Sequence, residues 1–359
     1  MLNTPFSPWP SFTDEESEAV SRVLLSNKVN YWTGTESREF EKEFATFCDC
    51  QYAVAVANGT VALDVAFKAL GIGAGDEVVV TSRTFLASVS SIVLAGAIPI
   101  FADVDRNSQN ITAQTVEAVI TSRTKAIVCV HLAGWPCDLD SIMALADAND
   151  LYVIEDCAQA HGAKYKGRSV GSIGHIGAWS FCQDKIMTTG GEGGMVTTNS
   201  KALWSAMWSY KDHGKSFDAI YNREHPPGFR WLHESFGTNW RMTEMQSTIG
   251  RIQIKKMPKW FATRNHYAQQ ILNTCKAFSF IRVPTMPAHI EHAYYKCYAF
   301  VDLTQVPEKW SRDSIINALN EQSVPCFSGS CSEVYLEKAF DGHPCKPKNA
   351  LVNAKELGE

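Results

Sequence analysis

No stretch of this chain approaches the ~18 uninterrupted apolar residues of a membrane-crossing helix, so none is expected to span a bilayer. Basic runs are missing too. With 33 basic against 38 acidic side chains and a formal net charge of -5, the chain lacks the electrostatic footprint of a nucleic-acid binder. The opening residues, MLNTPFSPWPSFTDEE, carry no positive stretch followed by an apolar one, so no secretory leader is expected. The expectation is a cytoplasmic protein whose 11 cysteines are reduced and mostly buried. Cys48 and Cys50 form a CxC pair with no second pair at metal-like spacing, so no metal site is expected. Fixed-period repeats and low-complexity tracts are absent. The 359 residues, 45% apolar and 20% charged, describe a globular protein long enough for two domains.

From about residue 52 to 200, short apolar runs alternate with amphipathic segments. Tyr52 to Ala57, Glu77 to Thr81, Ile98 to Ala102, Lys125 to His131 and Leu151 to Ile154 read as buried strands. Between the first two, Ala62, Val65, Ala66, Ala69 and Leu70 place one apolar face on a helix that Gly71 and Gly73 terminate. Ala87 to Ala95 and Leu139 to Ala148 read as further helices, and Ala178 to Phe181 and Met195 to Thr198 as two more strands. Such alternation favours a mostly parallel α/β sheet with helices on both faces, binding its ligand at the carboxyl ends of the strands. Beyond residue 200, Met242 to Lys256 reads as a helix running out before Pro258, and Asn265 to Ala277 as another. Tyr294 to Leu303 reads as a strand of a second, smaller domain. A boundary near residue 255 divides the chain into a large domain, 1–255, and a small one, 256–359.

Three features carry chemistry. The Asn58-Gly59-Thr60 turn joins a strand to a helix, whose unsatisfied N–H groups suit a phosphate, although such a turn is usually just a cap. Asp156 ends a buried strand in IEDCAQAHGA and needs a partner there. A protonated pyridine nitrogen would serve, and so would a helix N-cap role. Lys185, in SFCQDKIMTTGGEGG beside the glycine-rich 190–194 loop, can hold an aldehyde cofactor as a Schiff base and then shuttle a proton; a lone lysine is otherwise only solvated surface.

These features appear in the order and near the spacing that one family uses. With ANGTVALDVAFKALGIGAGDEVVV, SRTFLAS, GAIPIFADVD, VHLAGWPCDLDSI, GAWSFCQDKIMTTGGEGGMV and GTNWRMTEMQSTIGRIQ, the chain resembles the DegT/StrS family of pyridoxal-phosphate-dependent nucleotide-sugar aminotransferases over almost its whole length. The resemblance implies a fold type I transferase, with a mostly parallel mixed seven-stranded sheet and a smaller C-terminal α/β domain. It implies pyridoxal 5'-phosphate as cofactor, joined to Lys185. Asp156 would face the ring nitrogen, Gln159 would lie beside the ring, and Phe85 would stack on its other face, where residues alone suggest core packing for Phe85. Gly59, Thr60 and Ser180 would bind the phosphate. Asn239 would reach the phosphate of a neighbouring subunit, making a homodimer with shared sites, where residues alone suggest an N-cap before WRMTEMQ. His161, His213, Tyr31 and Arg83 are further residues that could touch substrate or be structural.

Two departures stand out. Many relatives carry His-Pro shortly before the lysine, where this chain has Cys182, Gln183 and Asp184, and relatives continue past VNAKELGE, so a truncated C-terminus is an open reading. Sugar dehydratases of the family replace the lysine with histidine, so Lys185 puts transamination ahead of them and of a non-catalytic scaffold. The implied reaction takes an amino group from L-glutamate, leaving 2-oxoglutarate. It places that group on C4 rather than C3 of a nucleotide-linked keto-6-deoxy sugar, a UDP-linked one first, for surface polysaccharide.

Overall fold

The structure is a computed structural model and describes residues 6–359; residues 1–5 of the supposed leaderless start lie outside them. Two amphipathic helices come first, α1 (Asp14–Leu25) and α2 (Glu36–Phe47). Then β1 (Tyr52–Val56), β2 (Glu77–Thr81), β3 (Ile98–Ala102), β4 (Thr124–Val130) and β5 (Tyr152–Asp156) alternate with α3 (Gly59–Ala69), α4 (Ala87–Leu94), the short α5 (Ala113–Glu117) and α6 (Leu139–Ala148). After two short strands, β6 (Lys164–Tyr165) and β7 (Arg168–Ser169), come β8 (Ile176–Ser180) and β9 (Gly194–Thr198). The seven long strands form one sheet in the order β1-β9-β8-β5-β4-β2-β3. The β3-β2-β4-β5-β8 block pairs in parallel, while β9 runs antiparallel to both β8 and β1. This is the mostly parallel, mixed seven-stranded sheet expected from the sequence.

The period of two along each strand sorts residues between two faces. Val54, Val56, Val78, Val80, Val128, Ile154, Ala178 and Val196 face one core, which α3 covers with Ala62, Leu63, Ala66 and Phe67. Ala53, Ala55, Trp179 and Met195 face a second core with Phe40 and Phe44 of α2. Val79, Ile127, Cys129 and Val153 face a third with Leu139 and Ile142 of α6. Both faces being covered explains why the central strands read as unbroken apolar runs. All eleven cysteines are free.

After α7 (Lys201–Tyr210) and α8 (Phe217–Tyr221), the sequence reading needs correction at three places. The two expected helices around Pro258 are one, α9 (Glu244–Cys275), 32 residues long with Pro258 inside it. A proline in a helix interior costs about 3 kcal/mol. Burial of Ile252, Ile254 and Met257 before it and Ala268 after it, with α1 and α2 packed alongside, exceeds that cost. Residue 255, near which the domain boundary is expected within or just after the long helix, lies inside α9. Its N-cap is Thr243, not Asn239: Thr243 Oγ1 accepts from Gln246 N–H, and the Gln246 side chain accepts from Thr243 N–H. The strand expected over Tyr294 to Leu303 shrinks to β12 (Phe300–Val301), which pairs with β10 (Ile281–Arg282). Tyr294 has φ +48°, off the extended region, and its ring stacks on His292 at 4.0 Å. A third short strand, β11 (Ile290–Glu291), pairs with β6. The chain then forms α10 (Arg312–Glu321) and returns to the main body. Val334, Tyr335 and Phe340 join the first core, and Ala354 and Leu357 of α11 (Val352–Gly358) join the third.

Gly250 is where α9 meets α2. A Cβ there would lie 2.5 Å from Phe40 Cζ, and Phe40 is fully buried. Gly250→Val is expected to lower the stability of the fold by about 1–3 kcal/mol, read from denaturant midpoints.

Candidate active site

The carboxyl ends of β1, β4, β5 and β8 converge where the sequence placed its polar residues. Asn58 is the N-cap of α3, its Oδ1 accepting from Val61 N–H at 2.9 Å, which leaves Gly59 and Thr60 in the open first turn. A Cβ on Gly59 would lie 2.5 Å from Ser180 Cβ and 2.9 Å from its Oγ. Any larger residue would fill this gap. The structure therefore sets Gly59, Thr60 and Ser180 side by side at a helix N-terminus, the environment an anionic group prefers.

Asp156 ends β5 beside a second buried carboxylate, Glu155, and the two differ sharply. Glu155 points to the opposite face. It accepts from the amides of Gly171 (2.8 Å), Ile173 (2.9 Å) and Gly174 (2.6 Å), and pairs with His131 Nε2 at 3.0 Å. Burial would raise its pKa, but the His131 contact and the amides win and hold it below the ordinary carboxylate range. His131 Nδ1 accepts from Cys137 N–H, so Nε2 carries the proton it gives to Glu155. Cys157 lies near enough to make the three a conceivable metal set, but these hydrogen bonds already use the His131 and Glu155 ligand atoms.

Asp156 has far less. Its Oδ2 accepts from Ser88 Oγ at 2.7 Å and its Oδ1 from Ala158 N–H at 3.1 Å. Thr84 and Ser88 hydroxyls lie 2.8 Å apart, so Thr84 supports the serine that holds the carboxylate. No cation pairs with Asp156 among the described residues, and burial pushes its pKa up. A buried carboxylate in this condition suits a cationic partner brought by a ligand. Ser88 and Thr84 were missed from the sequence, although both lie in the SRTFLAS segment; serine and threonine offer no sequence signal of which acid they will meet.

Gln159 is positioned by its Oε1, which accepts from Ala133 N–H at 2.7 Å, where Ala133 adopts φ +59°. Phe85, 72% exposed, offers a bare aromatic face. Lys185 sits in the turn after β8, its side chain mostly covered, with Nζ 2.8 Å from Asp184 Oδ2 and 3.5 Å from Tyr295 Oη. Its carbonyl accepts from Trp9 Nε1. Sequence reasoning pairs Lys185 with neither Asp184 nor Tyr295; Tyr295 is 110 residues away along the chain. Asn239 is exposed and makes no side-chain hydrogen bond among the described residues; its backbone bridges to Asp212.

The four other residues named from the sequence lie elsewhere in the packing. Arg83 is buried and ties Gln109 to Ser330 and Ser332. Tyr31 is buried between Glu41 and Trp208. His161 lies fully buried against Trp179 and Phe181, and burial pushes its pKa down to about 3. His213 is an exposed turn residue at φ +60°.

With its seven-stranded mixed sheet and its solved-structure neighbours, the chain is a fold type I pyridoxal-phosphate-dependent transferase. The chain belongs to the DegT/DnrJ/EryC1/StrS aminotransferase family, which residues 10–358 match. It is 37% identical over 339 residues to GDP-perosamine synthase of Escherichia coli O157:H7, across 93% of this chain and 88% of that protein. It is 32% identical over 343 residues to dTDP-3-amino-3,4,6-trideoxy-alpha-D-glucose transaminase of Streptomyces venezuelae, across 96% of this chain and 84% of that one. The crystal structure of an aminotransferase from Psychrobacter cryohalolentis superposes with a TM-score of 0.97 at 65% identity, covering 99% of this chain and 92% of that one. The protein is a pyridoxal-phosphate-dependent nucleotide-sugar aminotransferase. No helix among the described residues is long and apolar enough to cross a membrane.

Glu155 has a depressed folded pKa, so its contribution is complete above the unfolded value near 4.5 and is lost as pH falls through the folded value. Glu155→Gln is expected to lower stability at neutral pH by about 2 kcal/mol or more and to flatten the acid limb below roughly pH 4.5. Thermal unfolding at pH 7 and pH 4 measures both.

Proposed function

We propose that this enzyme takes its amino group from L-glutamate and delivers it to C4 of a nucleotide-linked keto-6-deoxy sugar. Lys185 would be the cofactor lysine. Asp156, Gln159, Phe85, Gly59, Thr60 and Ser180 would be the other cofactor-binding residues of the chain. The observation that supports this most is the contrast between the two adjacent buried carboxylates: Glu155 is saturated by amides and a histidine, whereas Asp156 pairs with no cation among the described residues.

When bound, pyridoxal phosphate supplies an aldehyde that takes up nitrogen and a ring that withdraws electrons from the bond being broken. The protein would do the rest. Gly59 and Thr60, at the α3 N-terminus, and the Ser180 hydroxyl would hold the phosphate by N–H and O–H donors. Asp156, kept in place by Ser88, would hold the ring nitrogen protonated. Gln159 would border the ring, positioned by Ala133 N–H. Phe85 would cover the other face and exclude water. Lys185 Nζ, once free, would carry the proton between donor or sugar carbon and the cofactor.

Partner contributions are also proposed. Asn239 would reach the phosphate of a second copy in a homodimer. The exposed Phe229, Trp231 and Phe236, the last fully exposed, precede it and support association of this segment. Residues 1–255 would form the cofactor-binding body and residues 256–359 the smaller unit, supported by the sheet lying wholly within residues 52–198. Amination at C3 is the second reading, because the Streptomyces venezuelae relative is named for a 3-amino sugar. The nucleotide is read from an assay panel, since the relatives' names carry GDP and dTDP.

The purified enzyme supplied with cofactor is expected to show a visible absorption band that L-glutamate bleaches and a nucleotide keto-sugar restores. Lys185→Ala should lack the band. A band that glutamate leaves unchanged would reject that donor, and product NMR separates C4 from C3. Asp156→Asn should keep the fold by circular dichroism yet lose about a hundredfold or more in turnover, because an amide cannot pair with a charged nitrogen. Near-normal turnover there would remove Asp156 from the ring-acid role.

A further inference from the structure

Lys185 has a second place to be. Asp184 Oδ2 accepts from Lys185 Nζ at 2.8 Å, and the same oxygen accepts a hydrogen bond from Tyr295 Oη. Tyr295 Oη also lies 3.5 Å from Nζ, and Nζ lies 5.2 Å from the centre of its ring. Carboxylate, phenol and ammonium close a triangle. The backbone beside Tyr295 is held firmly, because Tyr294 stacks on His292 and the Tyr294 carbonyl accepts from Arg264 of α9.

The reaction makes such a place necessary. The donor half-reaction would free the Lys185 amine when the donor nitrogen takes its position, the amine would stay free until the aminated product leaves, and a freed amine that has picked up a proton is a cation. Asp156 also attracts Lys185 electrostatically. A lysine that settled there would occupy the counter-charge intended for the ring. Resting on the reading of Lys185 as the cofactor lysine, we propose that Asp184, oriented by Tyr295, is a positioning residue that holds the Lys185 ammonium whenever Nζ is not bonded to cofactor. Asp184 is suited to remain a carboxylate throughout. Its partial burial opposes ionisation, but the hydrogen bonds from Lys185 and Tyr295 prevail and hold the carboxyl at about 2. Burial and the Asp184 charge push the Tyr295 phenol up, so it stays protonated and donating. Other ionisable groups around Lys185 among the described residues are Asp156 at the end of β5, His161 in the segment after it, Cys182 with Glu192 on the lysine loop, and Arg264 on α9. Burial keeps His161 neutral and Cys182 in its thiol form, so Asp184 is the carboxylate in contact with Nζ.

The test uses cofactor-free enzyme and follows the rate at which the visible band grows after pyridoxal phosphate is added, as a function of pH. The ammonium first loses a proton to solvent. The amine nitrogen then attacks the aldehyde carbon, a C=N bond replaces C=O, and the oxygen leaves as water with the two remaining nitrogen hydrogens. Asp184→Asn is expected to move the pH midpoint of this rate down by about one unit, making capture roughly tenfold faster on the acid side. Asp184→Glu should return the midpoint toward that of the parent, and Tyr295→Phe should fall between parent and Asp184→Asn. A purely packing role would change the amount of band and leave the midpoint alone. An unchanged midpoint in Asp184→Asn overturns the proposal, and a Tyr295→Phe midpoint equal to the parent's removes Tyr295 from it. If instead Lys185→Ala keeps the visible band, the reading of Lys185 fails first; loss of the band there with an unchanged Asp184→Asn midpoint rejects only the holding role.

Discussion

A carboxylate sealed at the end of a central strand, with no cation paired to it among the described residues, is the constraint around which this site is organised. Strand geometry sends Glu155 and Asp156 to opposite faces of the sheet. On one face the turn at 171–174 supplies amides and β4 leads into His131, so Glu155 completes the protein's own structure. On the other, Ser88 and one backbone amide hold Asp156 in place without neutralising it. Burying an under-compensated charge is expensive, and a ligand that brings the missing charge gains that energy on binding. On the proposed reading, the ring nitrogen of pyridoxal phosphate would bring that charge.

The rest of the site consists of elements brought to that carboxylate. The parallel block places the ends of β4, β5 and β8 together, and β1, joined through the antiparallel β9, adds the start of α3 beside β8. The close approach of Gly59 to Ser180 results from that layout, because residues 121 positions apart become neighbours across the sheet. The lysine loop between β8 and β9 then carries Lys185 to the same end, where Asp184 and Tyr295 meet its amine. One side of the site is thus built by the sheet, and another by a segment that follows the long helix.

What the sequence revealed clearly was what depends on local pattern. The strands from Tyr52 to Thr198, the helix after Asn58 and its stop at Gly71 follow from runs and periods that neighbours along the chain impose. Beyond residue 240 that logic weakened. Pro258 signals a break, yet packing on both sides carries α9 through it, and Asn239 resembles a cap, yet the helix starts four residues later, where Thr243 and Gln246 form the capping box. Tyr294 to Leu303 has strand composition, but the stacking of Tyr294 on His292 pulls its backbone into the left-handed region.

By itself, therefore, the amino-acid order determined the α/β class, the family and the presence of a strand-to-helix Gly-Thr turn, a strand-end acid and a loop lysine, since each is written in contiguous residues. Only the tertiary structure decided which buried acid lacks a counter-charge, which hydroxyls hold it and which side chains receive the lysine amine. Those are matters of through-space distance between segments as far apart as Ser88 and Asp156 or Lys185 and Tyr295, and electrostatic satisfaction depends on what surrounds a group in space, not on what precedes it in the chain.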